Sequence, residues 1–443
     1  MYKKAINIKN KIKKFDKKIY VDGDKSISIR WALFSSQAIG KSVAHNFPKS
    51  EDVINTLKCL QRLGIKIKFK NKNCEIIGRG INGFNYKKNI VLNAGNSGTL
   101  GRLILSLLIK SPYKIKITGD KSLSKRDFSR VVNPLKRIGA NFYPKNKEKL
   151  PIFIKGSELL RPINYFEERG SAQCKSCVML ASLNTPSEIV IKAKKSRNHT
   201  ENIFNFLKIP IKIRKNKKFD FIRVKKPKLI QSFNVKIPGD ISSSAFFIVL
   251  TLLSKNSKII IKNVNVNSTR IGVIKILNKM GAKIKLKNIK YKYGEKCADI
   301  FVKSRKNLKS INCPTNLNSS AIDEFLIIFL CAAKAKGVSY FKDISELNQK
   351  ESPRLEIGSQ ILKMRGIKVK VNDNSIKIYG NPNLDLRKKY VVKNNLQDHR
   401  VLMMSVIAAL SFGGDWRIFN PSSVNTSFPS FFKLIRYLGG NLN

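Results

Sequence analysis

The sequence predicts a pseudo-symmetric α/β protein made of six helix–strand units, and two observations support this prediction. First, a segment recurs in which an amphipathic helix ends at a glycine and a strand of alternating polar and apolar residues follows. Second, the copies recur at roughly 70–85 residues, which is typical of internal repeats. The five copies with the glycine are residues 60–67, 135–142, 277–284, 362–369 and 435–442, and a degenerate sixth copy is residues 206–211. Six units are compatible with two lobes of three.

Length and composition indicate a globular protein. With 443 residues and 42% hydrophobic content, the chain is long enough for two or three domains, each with its own core. Its longest apolar segment, residues 325–333, is shorter than the roughly 20 residues that a membrane-spanning helix needs. The start of the chain has no apolar segment of the signal-peptide type. Cys174 and Cys177 form a lone C-x-x-C motif without a second pair, which argues against zinc. We therefore expect a cytoplasmic protein without a metal or a membrane partner.

The charge of the chain is unusual. Lys and Arg number 87 against 28 Asp and Glu, a formal net charge of +59, which would suit a nucleic-acid-binding protein. However, the lysines are spread along the whole chain and often alternate with apolar residues, as in residues 65–70, instead of forming a basic arm. Lys, Ile and Asn are also abundant together, and an AT-rich genome is a sufficient cause. Nucleic acid is therefore kept as an alternative partner and not expected as the main one.

The first candidate site residues precede or begin a helix. Gly23 permits a tight turn, and the apolar run after Arg30 has helical length, so Lys25, Ser26 and Arg30 fall on or just before the first turns. Unpaired backbone N–H groups and two cations would then face one spot that suits a phosphate or a carboxylate. An ordinary helix N-cap is the alternative interpretation.

Further stretches have similar chemistry. Small residues at 93–99 precede a helix that carries Arg102. Cations cluster at 121–126 before another helix. Residues 170–175 offer hydroxyl and amide groups. In the segment 196–201, Thr200 and Glu201 could equally be capping residues. Acids occur at 323–324, at Glu351 and at Asp398, each near the start of a helix, where the helix dipole alone would favour them. If these helix starts converge, Asp323 and Glu351 are the candidates for proton transfer.

These motifs, in this order, resemble the 5-enolpyruvylshikimate-3-phosphate (EPSP) synthase family, in particular its class II branch. The segments that carry the resemblance are GDKSIS (23–28), NSGT (96–99), GDKSLSKR (119–126), SAQCK (171–175), SRNHTE (196–201), PGDISSSAF (238–246), NSTR (267–270), IDE (322–324), KES (350–352), DHR (398–400) and TSFP (426–429). They span nearly the whole chain.

The resemblance implies a fold and a reaction. The fold is a two-lobed inside-out α/β barrel of six βαβαββ repeats, with residues 1–22 and 241–443 in one lobe and residues 23–240 in the other. The reaction is transfer of the enolpyruvyl group of phosphoenolpyruvate to the 5-hydroxyl of shikimate 3-phosphate, with release of phosphate, in aromatic amino acid and chorismate biosynthesis. Neither a cofactor nor a metal is implied, and we expect a monomer.

The resemblance also implies roles for residues that match the family motifs. The expected shikimate 3-phosphate ligands are Lys25, Ser26, Arg30, Ser171, Ala172, Gln173, Arg197, Asp323 and Lys350. The expected phosphoenolpyruvate ligands are Lys25, Gly98, Arg126, Gln173, Arg354 and Arg400. The expected catalytic residues are Asp323, as the base for the attacking hydroxyl, Glu351, as the group that moves a proton at the methylene carbon, and Lys25.

Five positions depart from the family pattern: Asp22, Ile29, Asn348, Gln349 and Pro353. Pro353 directly precedes Arg354 and could disturb the start of the helix that carries it. A related activity on a nucleotide sugar would expect Asn in place of Ser26 and a reactive loop cysteine, and neither is found.

Overall fold

A computed structural model describes residues 4–145, 148–393 and 398–443. Residues 1–3 of the predicted segment 1–22 lie outside the described residues. The helices are α1 (Lys25–Gln37), α2 (Glu51–Arg62), α3 (Gly98–Leu107), α4 (Ser129–Ile138), α5 (Ala172–Ala181), α6 (His199–Phe206), α7 (Ile241–Leu253), α8 (Gly272–Lys279), α9 (Asn318–Ala321), α10 (Phe325–Ala333), α11 (Arg354–Lys363), α12 (His399–Phe412) and α13 (Phe431–Tyr437). Short 3-10 segments span Leu123–Lys125, Thr315–Leu317, Ser345–Gln349 and Pro421–Thr426.

The strands are β1 (Ala5–Ile8), β2 (Asp16–Ile19), β3 (Ile39–His45), β4 (Lys66–Lys70), β5 (Asn73–Arg79), β6 (Val91–Asn93), β7 (Ile115–Thr118), β8 (Asn141–Tyr143), β9 (Ile152–Lys155), β10 (Asn164–Glu167), β11 (Ile189–Lys194), β12 (Ile211–Lys215), β13 (Phe219–Val224), β14 (Asn234–Lys236), β15 (Lys258–Asn265), β16 (Lys285–Lys292), β17 (Glu295–Lys303), β18 (Gly337–Lys342), β19 (Val369–Asn372), β20 (Ser375–Gly380), β21 (Leu386–Val392) and β22 (Gly413–Phe419).

The described strands form six small sheets, one for each predicted repeat, and the predicted α/β fold class is confirmed. The strand orders are β14-β3-β5-β4, β6-β7-β9-β8, β10-β11-β13-β12, β16-β17-β15-β2, β18-β20-β19 and β1-β22-β21. The second repeat is representative: β6 and β7 are parallel around α3, and β9 is antiparallel to both β7 and β8. This is the βαβαββ order, in which a helical crossover links the parallel pair.

Two strands are exchanged between repeats. β2 directly precedes α1 but pairs in parallel with β15, about 240 residues further along the chain. β14 directly precedes α7 but pairs in parallel with β3. The chain therefore crosses from one set of sheets to another after β2 and after β14.

The chain folds into two compact units. Unit 1 comprises residues 1–22, 238–291 and 296–443, and unit 2 comprises residues 23–237 and 292–295. Each unit has its own hydrophobic core.

Helices form the centre of each unit. In unit 1, helices α7, α10 and α12 contact one another, and every residue in them is buried. A helix that is apolar on all sides must be surrounded by other elements, so the sheets lie outside these helices. The strands are amphipathic, as expected for such a layer: in β4, the three lysines are exposed while Ile67 and Phe69 are half-buried. This accounts for the alternation of lysine with apolar residues in the sequence.

The central helices of unit 2 are buried except near their starts. In α1, only Lys25 and Ser26 are not buried, and in α5 only Ala172 and Gln173. These four residues are all predicted site residues. Among the described residues, no helix has the length and apolar character needed to cross a membrane.

Candidate functional site

A tight turn places Lys25 at the first position of α1. A Cβ atom at Gly23 would lie 2.2 Å from the carbonyl oxygen of Asn46, so only glycine fits there. Asp24 then caps the helix, because its Oδ1 accepts a 3.0 Å hydrogen bond from the backbone N–H of Ile27. The cap and the charged first turn therefore coexist, and the two interpretations of this stretch are compatible.

The ammonium group of Lys25 is held by a carboxylate that sequence reasoning did not assign to the site. Its Nζ lies 2.6 Å from Oδ2 of Asp52, a buried residue in the first turn of α2. This pair fixes the direction of the Lys25 side chain. An acid at a helix start follows an ordinary pattern, so the sequence alone offered no signal for it.

Arg30 is buried and is held by neutral oxygen atoms. Its Nε donates to Oγ1 of Thr200 at 2.8 Å, and its Nη2 donates to Oγ of Ser176 at 3.1 Å. Its Nη1 donates to the carbonyl oxygen of Ser26 at 3.2 Å. Burial lowers the pKa of Arg30 to about 10, against the opposing effect of nearby carboxylates, above all Glu201. Arg30 thus joins three helices, α1, α5 and α6.

Thr200 and Glu201 lie in the first turn of α6 and do not cap this helix. Asn198 is the N-cap residue, and Thr200 bonds instead to Arg30 and to Oγ of Ser176. The capping interpretation of these residues is therefore wrong. Arg197, which is half-buried, lies close enough to Arg30 for the two charges to repel each other.

A second group of donors lies at the start of α3. Arg102 Nη1 donates to Oε1 of Gln173 at 2.7 Å, and Gln173 Nε2 donates to Oγ1 of Thr99 at 3.1 Å. A Cβ atom at Gly98 would lie 2.9 Å from Nη1 of Arg102 and 3.0 Å from Nη1 of Arg126. The structure therefore brings Gly98, Arg126 and Gln173 together, with Arg102 as a further member to which the sequence analysis gave no role.

Ser171 and Ala172 form the start of α5, next to Gln173. Ser171 is the N-cap, and its Oγ accepts a hydrogen bond of 3.3 Å from the N–H of Cys174. Its own N–H donates to Oε2 of Glu167 at 2.8 Å. Taken together, unit 2 offers guanidinium, ammonium, hydroxyl and amide donors, which is the chemistry that binds phosphate and carboxylate groups.

The predicted residues of unit 1 form a cluster of both charge signs. Asp323 Oδ1 lies 3.7 Å from Nζ of Lys350 and 3.6 Å from Nη1 of Arg354. Glu351 is paired with Nη2 of Arg354. Arg400 Nη1 donates to the carbonyl oxygen of Asp323 at 2.7 Å. All five predicted residues of this unit thus meet in one cluster.

Asp398, for which no role was predicted, organises this cluster. Its Oδ2 accepts from Nε of Arg354 at 2.9 Å and from Oγ of Ser352 at 2.8 Å, and its Oδ1 caps α12 through the N–H of Arg400 at 2.9 Å. Burial raises the pKa of Asp398, but the charge of Arg354 outweighs this, so the net pKa lies below its ordinary value. The motif DHR contained Asp398, but its side-chain partners Arg354 and Ser352 lie more than 40 residues away.

The carboxylates have the opposite effect on Arg354. Burial lowers the pKa of its guanidinium, but Asp398, Glu351 and Asp323 together raise this pKa by a larger amount, so the net shift is upward. Pro353 does not disturb the helix: α11 begins at Arg354, directly after the proline, and the N–H of Leu355 donates to Oδ1 of Asn348 at 3.1 Å. Proline is well tolerated at such a position because the N–H it lacks would have no partner within the helix.

Asp22 departs from the family pattern and is buried. Its Oδ2 accepts hydrogen bonds from the backbone N–H of Ser430 at 3.1 Å and from Ser430 Oγ at 2.7 Å. Ser430 is the N-cap residue of α13, so Asp22 anchors the start of the last helix of unit 1.

The chain is similar to known proteins along nearly its whole length. It matches the family model described as EPSP synthase (3-phosphoshikimate 1-carboxyvinyltransferase) over residues 9–435. A 3-phosphoshikimate 1-carboxyvinyltransferase from Ruthia magnifica subsp. Calyptogena magnifica is 40% identical over 425 residues, covering 96% of this chain and 95% of the relative. The one from Syntrophomonas wolfei subsp. wolfei is 36% identical over 421 residues, covering 95% and 96%.

Solved structures agree. An EPSP synthase from Acinetobacter baumannii superposes with a TM-score of 0.87 at 32% identity, covering 99% of both chains. The enolpyruvyl transferase NikO from Streptomyces tendae superposes with a TM-score of 0.73, covering 99% of this chain and 98% of that one, but at 11% identity it supports the fold alone. The resemblance to the EPSP synthase family that the motifs indicated is confirmed. The chain belongs to the EPSP synthase family.

Proposed function

We propose that this protein transfers the enolpyruvyl group of phosphoenolpyruvate to the 5-hydroxyl of shikimate 3-phosphate and releases phosphate. The observation that carries the proposal is the similarity, over 96% of the chain, to a 3-phosphoshikimate 1-carboxyvinyltransferase. The donor groups of unit 2 and the charged cluster of unit 1 supply the chemistry that this reaction needs. We further propose that the protein acts as a monomer in the cytoplasm.

The residues of unit 2 bind the anionic groups. Lys25, Ser26 and Arg30, with Ser171, Ala172, Gln173 and Arg197, hold shikimate 3-phosphate. Gly98 and Arg126, with Lys25 and Gln173, contact phosphoenolpyruvate. Arg30 suits a phosphate because, among the described residues, its hydrogen-bond partners are neutral oxygen atoms that leave its charge in place. The Gly98 position suits a ligand carboxylate or phosphate because the guanidinium groups of Arg102 and Arg126 lie close to it.

The residues of unit 1 move protons. Asp323 accepts the proton of the 5-hydroxyl of shikimate 3-phosphate while the oxygen of that hydroxyl attacks C2 of phosphoenolpyruvate. Glu351 takes part in the transfer of a proton to C3 of phosphoenolpyruvate. The resulting tetrahedral species loses phosphate from C2 and a proton from C3, which restores the double bond. Lys350 binds shikimate 3-phosphate beside Asp323, while Arg354 and Arg400 offset the negative charge of phosphoenolpyruvate.

The test is phosphate release by the purified protein. We expect release only when both substrates are present, and Asp323→Asn should lower kcat by roughly 10²–10⁴, the usual contribution of a general base. Asp373→Asn is the matched control, because Asp373 is an exposed carboxylate in the turn between β19 and β20 of the same unit. Absence of release with both substrates, or full activity of Asp323→Asn, would count against the proposal.

A further inference from the structure

Lys175 and Glu201 form a buried ion pair near Arg30. Lys175 Nζ lies 2.6 Å from Oε1 of Glu201, and the two side chains are 0% and 3% exposed. Lys175 is on α5 and Glu201 is on α6. Removing two charges from water is expensive, and an apolar pair of the same size would often stabilise the protein as well or better. Stability alone is therefore a weak reason for this ion pair.

The position of the pair in the chain points to another reason. Lys175 directly precedes Ser176, and Glu201 directly follows Thr200, so each member neighbours a hydroxyl group that binds Arg30. The two hydroxyl groups also bond to each other, since Thr200 Oγ1 donates to Ser176 Oγ at 2.6 Å. The ion pair thus ties together the two helices that hold the guanidinium.

The charge of Glu201 bears directly on Arg30. Of the charged groups near Arg30, Glu201 exerts the largest favourable effect on its protonated form. A second buried acid in the neighbourhood, Glu295, is engaged by His199 Nδ1 at 2.7 Å and by Asn202 Nδ2 at 3.1 Å. Each acid thus has a partner other than Arg30. Within the described part of the chain, the guanidinium hydrogen-bonds to neutral oxygen atoms through three of its five N–H groups.

We propose that the Lys175–Glu201 ion pair positions Arg30 and keeps its charge available for an anionic group of shikimate 3-phosphate. This inference rests on the proposed function. Lys175 and Glu201 are positioning residues, because they act through Arg30 and its hydroxyl partners and do not touch the substrate.

Removal of Lys175 alone tests the inference. In Lys175→Met, the carboxylate of Glu201 loses its cation and turns to Arg30, where it competes with the anionic substrate. We expect KM for shikimate 3-phosphate to rise at least tenfold, with a much smaller change in kcat and in KM for phosphoenolpyruvate. Calorimetric titration should show the same loss of affinity for shikimate 3-phosphate.

The double variant Lys175→Met/Glu201→Gln separates charge from packing. It removes both charges and leaves no carboxylate to compete for Arg30, so KM for shikimate 3-phosphate should return to within about threefold of the wild-type value. A purely structural pair would show no such rescue. An unchanged KM in Lys175→Met, or a KM in the double variant as high as in the single one, would overturn the inference.

A second experiment tests the inference even if Lys175→Met fails to fold. Thr200→Val keeps the shape of the side chain but removes the hydroxyl that accepts from Arg30, so KM for shikimate 3-phosphate should rise at least fivefold, and Thr200→Ser should restore it. An unchanged KM in Thr200→Val would overturn the inference. A wild-type protein that releases no phosphate would instead contradict the proposed function, and this distinguishes the two failures.

Discussion

Arg30 of unit 2 and Arg354 of unit 1 are both buried, yet their surroundings differ. Arg30 contacts two hydroxyl groups and a backbone carbonyl, and burial lowers its pKa. Arg354 contacts the carboxylates of Asp398 and Glu351 and lies near that of Asp323, and its pKa is raised despite burial. The same side chain therefore serves two purposes. A cation held by neutral groups leaves its whole charge to an anionic ligand, whereas a cation held by carboxylates also fixes those carboxylates in place.

The comparison predicts its largest effect for Arg354→Met. This change leaves Asp398, Glu351 and Asp323 without their shared cation, and removal of one partner from a buried ion cluster typically costs about 3–5 kcal/mol. Urea unfolding would measure the loss in the free energy of unfolding. The exposed Arg387→Met is the matched control and should stay within about 0.5 kcal/mol of the wild type. Equal stabilities of the two variants would mean that the carboxylates around Arg354 do not depend on its charge.

Asp398→Asn should have the next largest effect, with a defined pH dependence. The variant keeps the size of the side chain but loses the charge that pairs with Arg354, so we expect a loss of about 2–3 kcal/mol near pH 7. Because the pKa of Asp398 in the folded protein lies below its ordinary value of about 3.9, its stabilisation is complete above that value. It is lost as the pH falls through the folded-state pKa.

Denaturant unfolding of the wild type and Asp398→Asn between pH 7 and pH 3 checks this prediction. The difference between the two free energies of unfolding should be constant near neutral pH and should shrink below about pH 4. A difference that grows as the pH falls would mean that Asp398 is not held in its charged form by Arg354.

Arg30→Met should change stability less than Arg354→Met but should weaken binding. The hydrogen-bond partners that it leaves behind are neutral, and Glu201 keeps its partner Lys175, so we expect a stability change of about 1 kcal/mol or less. Affinity for shikimate 3-phosphate should fall by roughly 10–100-fold, the value of a charge-assisted hydrogen bond. Calorimetric titration and urea unfolding of the same variant would measure both. A large stability loss with unchanged affinity would reverse the contrast between the two arginines.

Gly98→Ala should have the smallest effect. The new Cβ atom would lie within about 3 Å of terminal nitrogens of Arg102 and Arg126, so these flexible groups must shift by a few tenths of an ångström. We expect KM for phosphoenolpyruvate to rise roughly threefold to tenfold, with unfolding almost unchanged. Steady-state kinetics would measure the shift, and urea unfolding of the same variant would check that its stability is almost unchanged. An unchanged KM would place this turn away from the substrate.

Some features of the site could be predicted because they are local. The capped helix starts that carry Lys25 and Gln173 depend on residues within four positions of each other, and such patterns are visible in a sequence. The partners of these side chains could not be predicted. Ser176 and Thr200 lie 146 and 170 residues from Arg30, and Asp398 lies 44 residues from Arg354. Nothing local distinguishes these hydroxyls and acids from ordinary caps.

Four of the six repeats show the predicted order of helix, glycine and alternating strand, which a sequence reveals because neighbouring residues specify it. The sequence by itself also determined the family, through motifs that lie in order along the chain. The pairing of β2 with β15 and of β14 with β3 could not be read from neighbouring residues, since it depends on which distant surfaces pack together in the folded protein. For the same reason, the sequence did not reveal that hydroxyl groups hold Arg30 and carboxylates hold Arg354.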